Sequence, residues 1–179
     1  LHGLYRVMPI TGKLALVASA AMAGVPLLNG FLSKEMFFAE TVFLSAHPGV
    51  EIALPIVATL AGLFAVVYAL RFSVDIFFGP GSDDLPREPH EPVRWMRVPI
   101  ELLVLACLVV GIAPAWSVGP FLDAAARPVV GGALPEFSLA IWHGFNALLA
   151  MSLVATVGGI VVYRLLKPRL DAGRYDRIP

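Results

Sequence analysis

Charge is scarce in this chain. Only 15% of its 179 residues are Asp, Glu, Lys or Arg, against 58% hydrophobic, where a soluble domain carries about a quarter charged. With a mean hydropathy of +0.80, that deficit excludes an ordinary soluble globule and points to a bilayer as solvent. Thirteen cations balance 13 anions, and no Lys/Arg cluster is interleaved with aromatics, which argues against a nucleic-acid partner. The single cysteine, Cys107, allows neither a disulfide nor a CxxC metal site. It reads as a small buried hydrophobe. His2, His47 and His90 show no metal-ligand spacing. Nucleophile triad, phosphate loop and flavin or nicotinamide fingerprint are all missing, so the chain is not expected to be a self-contained enzyme or to hold a cofactor or metal. It begins at Leu1 without a recognisable signal peptide, and reads as a piece of a longer polypeptide.

What the chain does have is long uncharged runs. They predict an all-α membrane protein with four membrane segments, the first a broken helix, in one polytopic domain. The expected spans are 14–46 (broken), 52–78, 98–122 and 137–166. A cytoplasmic loop over 79–97, an external loop over 123–136 and a cytoplasmic tail over 167–179 complete the expectation, with the Pro-rich loops read as solvated. Four spans place Arg6, Lys13, Arg71, Arg87, Arg94, Arg97 and the five cations after Tyr163 on one side, and Arg127 alone on the other. That asymmetry fits the positive-inside rule with both termini cytoplasmic.

Lys34 is the residue that composition does not explain. From Leu14 to Ser33 there is no ionisable Asp, Glu, Lys, Arg or His, and a charge in hydrocarbon is by default a functional-site hypothesis. Gly24, Pro26 and Gly30, just upstream, read as a helix break whose freed backbone groups can line a polar path. Half-helices over about 14–24 and 34–46 would then flank an unwound middle. Ser33 reads as the N-cap of the second half-helix, with Lys34 and Glu35 in its first turn. There the dipole favours the carboxylate and disfavours the ammonium, and desolvation disfavours the ammonium further. A proton relay needs a lysine of that kind, with Glu35 pointing about 100° away on the helix. The competing reading is an anchor: Leu14–Ser33 is long enough to span a bilayer unbroken, leaving Lys34 to snorkel at the far interface.

His143, in Trp142-His143-Gly144-Phe145-Asn146, falls near the interfacial aromatic belt. It reads either as a hydrogen-bonded histidine between helices or as a proton-access group. Asn146 reads as polar glue between helices, and Gly158-Gly159 as a site of close helix packing. Arg71 and Asp75 are spaced for an i,i+4 ion pair.

Met8-Pro9-Ile10-Thr11, the run Ala23-Gly24-Val25-Pro26-Leu27-Leu28-Asn29-Gly30-Phe31-Leu32-Ser33-Lys34-Glu35, and Trp142–Asn146 resemble the Mrp-type antiporter family, which includes proton-pumping membrane subunits of respiratory complex I. The wording around Lys34 and Trp142 looks closer to the A-type subunits of the multisubunit Na+/H+ antiporters. The resemblance implies that 14–46 is a broken helix of the second inverted repeat and that Lys34 is the terminal proton-exchange residue of a hydrophilic axis. It also implies a cytoplasmic-membrane protein acting on protons and Na+, with other subunits and lipid as partners. The glutamate–lysine pair of the family's first repeat does not appear in this chain. An alternative within the superfamily is a proton-pumping subunit of an NADH–quinone or hydrogenase-type complex. A purely structural membrane fragment is the other.

Overall fold

In a computed structural model, residues 2–44, 47–79, 88–132 and 146–175 are described, and all regular structure among them is helical. A 3-10 turn (Leu4–Arg6) leads into α1 (Pro9–Ala23), α2 (Asn29–Phe43), α3 (Pro48–Phe77), α4 (Arg94–Ile112), α5 (Pro114–Ser117), α6 (Gly119–Val130) and α7 (Ala147–Tyr175). α3, α4 and α7 are each long and apolar enough to cross a membrane, while α1 is a shorter apolar helix.

α3 and α7 form the most extensive pairing, with α1 and α2 packed along α3. The α3–α7 seam rests on Gly158 and Gly159, as their adjacency suggested. A β-carbon built at Gly159 would lie 2.6 Å from Val66 Cβ and 2.9 Å from the Leu63 carbonyl oxygen. Small residues let two backbones approach and gain dispersion contact where lipid offers no hydrophobic drive. Phe38, Ala58 and Leu148 join α2, α3 and α7 in a small buried cluster, with Ala39 and Met151 against it. Much of the remaining apolar surface faces outward: Ile52 is 68% exposed, Phe64 60% and Leu103 71%. Patches of that extent mark contact with lipid or protein rather than water.

Polar groups tie the helix ends. Asp75 accepts from Tyr163 Oη at 3.0 Å and lies 3.7 Å from Arg71, the i,i+4 pair that the spacing predicts, and 4.0 Å from Lys167. His2 Nδ1 meets the Asp75 carbonyl oxygen at 2.5 Å. Asn146 is a cap for its own helix: its Oδ1 accepts from the Leu149 amide at 2.9 Å, as Asn does at an N-terminus.

Several boundaries differ from the sequence reading. The expected span over 98–122 is not one helix. α4 begins at Arg94, inside the expected loop 79–97, and ends at Ile112. Pro114 steers Ala113 out of helical geometry, to φ −131° and ψ 60°, because its ring crowds the preceding residue. α6 then occupies part of the expected loop 123–136. Pro120 sits in its first turn, where a missing N–H costs no hydrogen bond. α7 runs on past Tyr163 to Tyr175, into the expected tail. Residues 137–145, including Trp142 and His143, lie outside the described residues.

Candidate functional site

The helix that starts at Pro9 stops at Ala23, so the unbroken helix that an anchoring Lys34 requires is absent. Its end is a Schellman motif. Gly24 takes the left-handed conformation (φ 78°), its amide donates to Ala21 O at 3.0 Å, and the Val25 amide donates to Ala20 O at 3.0 Å. These two bonds satisfy carbonyls that a helix end leaves open. Pro26 follows, where it cannot continue a helix. A turn then closes with the Leu28 amide on Val25 O at 3.3 Å. Leu27 holds φ 69° in this turn, a left-handed position normally given to glycine or asparagine.

The interruption is shorter than expected. It covers residues 24–28, and α2 begins at Asn29 with the Phe31 amide on Leu28 O. Ser33 is therefore not an N-cap. It lies inside α2 with its hydroxyl donating to Asn29 O at 3.3 Å. Lys34 and Glu35 sit in the second turn, beyond the reach of that helix's N-terminal dipole. Gly30 is likewise not in the break but in the first turn of α2. A β-carbon there would fall 1.8 Å from Ala21 O, so only glycine lets the two half-helices lie this close.

That overlap carries the Lys34 side chain back across the break. Its ammonium donates to Ala23 O at 3.2 Å, at the carbonyl end of α1, and stands 5.8 Å from the Phe38 ring centroid. The stem is tightly enclosed: a β-carbon at Gly24 would lie 2.7 Å from Lys34 Cδ, and one at Gly62 3.0 Å from Cε. The dipole acting on the ammonium thus has the sign opposite to the one expected, because the partial negative end of α1 faces it. Unwound carbonyl ends of interrupted helices are the cation-holding elements of membrane transporters. The half-buried Lys34 therefore has a defined acceptor and a defined electrostatic partner.

Glu35 points elsewhere. It is 8% exposed and lines a cavity of about 270 Å³ with Leu32, Met36, Ala39, Phe43, Asn146 and Leu148, between α2 and the start of α7. Among the described residues no group of His, Cys, Asp or Glu is arranged to hold a metal ion.

Four contributors were not foreseen. Gly62 and Phe38 wall the lysine, and only their apolar context was visible. Cys107 is not a buried hydrophobe: it is partly exposed and its thiol donates to Asn29 Oδ1 at 2.9 Å. One turn further along α4, Gly111 admits the backbone of the break, since a β-carbon there would lie 2.3 Å from Leu27 O.

No family profile matches the chain, but individual relatives do. It is 58% identical over 170 residues to the A/B subunit of a probable K+/H+ antiporter of Rhizobium meliloti, covering 95% of this chain and 17% of the relative. It is 32% identical over 168 residues to the A1 subunit of a Na+/H+ antiporter of Staphylococcus saprophyticus, covering 90% and 21%. The fold matches the Mrp complex of Dietzia sp. DQ12-45-1b with a TM-score of 0.78 and 30% identity, over all of this chain and 19% of that one. The chain thus spans roughly a fifth of the length of the proteins it matches. In sequence it is similar to one stretch of the A-type subunits of cation/proton antiporters, and in fold to one stretch of the Mrp complex.

Proposed function

We propose that the chain is part of a monovalent cation/proton antiporter subunit in the cell membrane, and that Lys34 relays protons within it. α1 and α2 together make one interrupted crossing, and α3, α4 and α7 make three more, with both ends of the chain on the cation-rich cytoplasmic side. The protein works with other subunits of a hetero-oligomeric complex, as the relatives' names and the matched complex suggest. One relative is named for K+ and another for Na+, so the proposal is kept to the class of monovalent cations.

The observation that carries the reading is the Lys34 ammonium on Ala23 O across the helix break. As an ammonium, Lys34 is held by the carbonyl end of α1. As a neutral amine it loses that attraction and is released toward its other neighbours. Loading and unloading of a proton is thereby coupled to a small displacement of the side chain. Glu35, lining its cavity one residue along, is the second protonatable group of the site. His143 is proposed as a proton-access group on sequence grounds alone. Lys34→Ala, introduced into the full-length protein of the assembled complex, is expected to reduce cation-driven proton flux in everted vesicles to background without lowering the amount of complex. Wild-type flux in that variant would overturn the proposal.

A further inference from the structure

The start of α1 is closed by a residue 80 positions away. α1 has no side-chain cap of its own: Met8 occupies the N-cap and Pro9 the first helical position. Every early N–H must still find an acceptor. The Met8 amide donates to Leu4 O and the Gly12 amide to Met8 O, while Pro9 has none to donate. That leaves Ile10 and Thr11, and both donate to Glu91 Oε1, at 2.6 Å and 3.2 Å. The Thr11 hydroxyl donates to Glu91 Oε2 at 2.8 Å. Both carboxylate oxygens are thus engaged at the positive end of the helix, where an anion is favoured.

Glu91 lies just before α4, and α4 meets the same broken segment again at its other end, through Cys107 on Asn29 and Gly111 against Leu27. The α1 rod is therefore tied to α4 at its N-terminus and beyond its C-terminus. About 20 Å along that rod from the clamp stands Ala23 O, the acceptor of the Lys34 ammonium.

We infer that Glu91 is a positioning residue for the Lys34 site: by closing the N-terminus of α1 it sets the position of the Ala23 carbonyl against the lysine. The inference rests on the relay role proposed for Lys34. It also gives Met8-Pro9-Ile10-Thr11 a physical role, since that stretch supplies the two amides and the hydroxyl. Displacing a reacting group by about an ångström costs up to about a hundredfold in rate, so a loosened rod is felt at Lys34 without any change in the cation-binding groups.

The test uses the full-length protein in its assembled complex, in everted vesicles, with flux normalised to the amount of complex. Glu91→Ala is expected to lower the maximal exchange rate about tenfold while the apparent KM for the cation stays within about twofold. Glu91→Gln, which keeps a carbonyl oxygen for the two amides, is expected to recover at least about half of the wild-type rate. A wild-type rate per complex in Glu91→Ala overturns the inference, whether or not the amount of complex falls. If Glu91→Ala does not assemble, Thr11→Val decides, because it deletes only the hydroxyl bond: a lowered rate supports the inference and a wild-type rate overturns it. Lys34→Ala run in parallel separates the two ideas. Wild-type flux there removes the relay itself, whereas a silent Lys34→Ala beside a fully active Glu91→Ala removes only the positioning role.

Discussion

Gly24 and Leu27 both hold left-handed backbone within the same five-residue break, yet substitution acts on them in opposite directions. Gly24→Ala adds a strained conformation, which costs about 1–2 kcal/mol, and drives a methyl to 2.7 Å from Lys34 Cδ. The expected result is a lowered melting temperature of the purified complex together with loss of most exchange, as the ammonium is pushed off Ala23 O. Leu27→Gly removes a similar strain but adds about 0.5–1 kcal/mol of chain entropy to be lost on folding, so its melting temperature should hold or rise slightly. At this scale Lys34 was legible in the sequence because an ionisable residue in an apolar run has few reasons to be there. Leu27 was not, since nothing in a leucine announces a positive φ. Ser33 misled because Ser-Lys-Glu has the composition of a helix start, whereas the true start at Asn29 has Leu28 at its N-cap, which carries no capping signal.

Between elements, the clamp of Glu91 on α1 makes a prediction about acid. Desolvation raises the Glu91 carboxyl, but hydrogen bonds from the Thr11 hydroxyl and the Ile10 and Thr11 amides, with the charge of Arg97, together outweigh it and hold the group below the ordinary glutamate range. A depressed folded value means the stabilisation is fully present above the unfolded value of about 4.3 and is lost as pH falls through the folded one. Melting curves of the purified complex from pH 6 down to pH 3 should fall more steeply for the wild type than for Glu91→Gln. Parallel slopes would contradict the clamp. The contact itself could not be read from the chain, because 80 residues separate its partners and nothing local to Thr11 points to Glu91. The end of α4 was legible in part. Pro114 marks it, but that proline lies inside an unbroken uncharged run over 102–122 that reads as a single span.

For the molecule as a whole, the helical class and the apolar elements followed from composition, while the pairing of those elements did not. Helices that are apolar all round give no stripe to say which face meets which neighbour. The Gly158-Gly159 pair was the exception, and Gly159→Leu is expected to destabilise the complex by about 1–3 kcal/mol, read as a lower melting temperature, by forcing α7 off Val66 and Leu63. The outward apolar faces of α3 and α4 belong to a chain that spans about a fifth of the length of the proteins it matches. Proton flux through the assembled complex carrying Lys34→Arg bears most directly on the role assigned to Lys34, because arginine keeps the cation but does not release its proton. Exchange should be abolished in proteoliposomes holding this variant at wild-type subunit content. Wild-type exchange would show that a fixed positive charge suffices at this position, and that Lys34 transfers no proton.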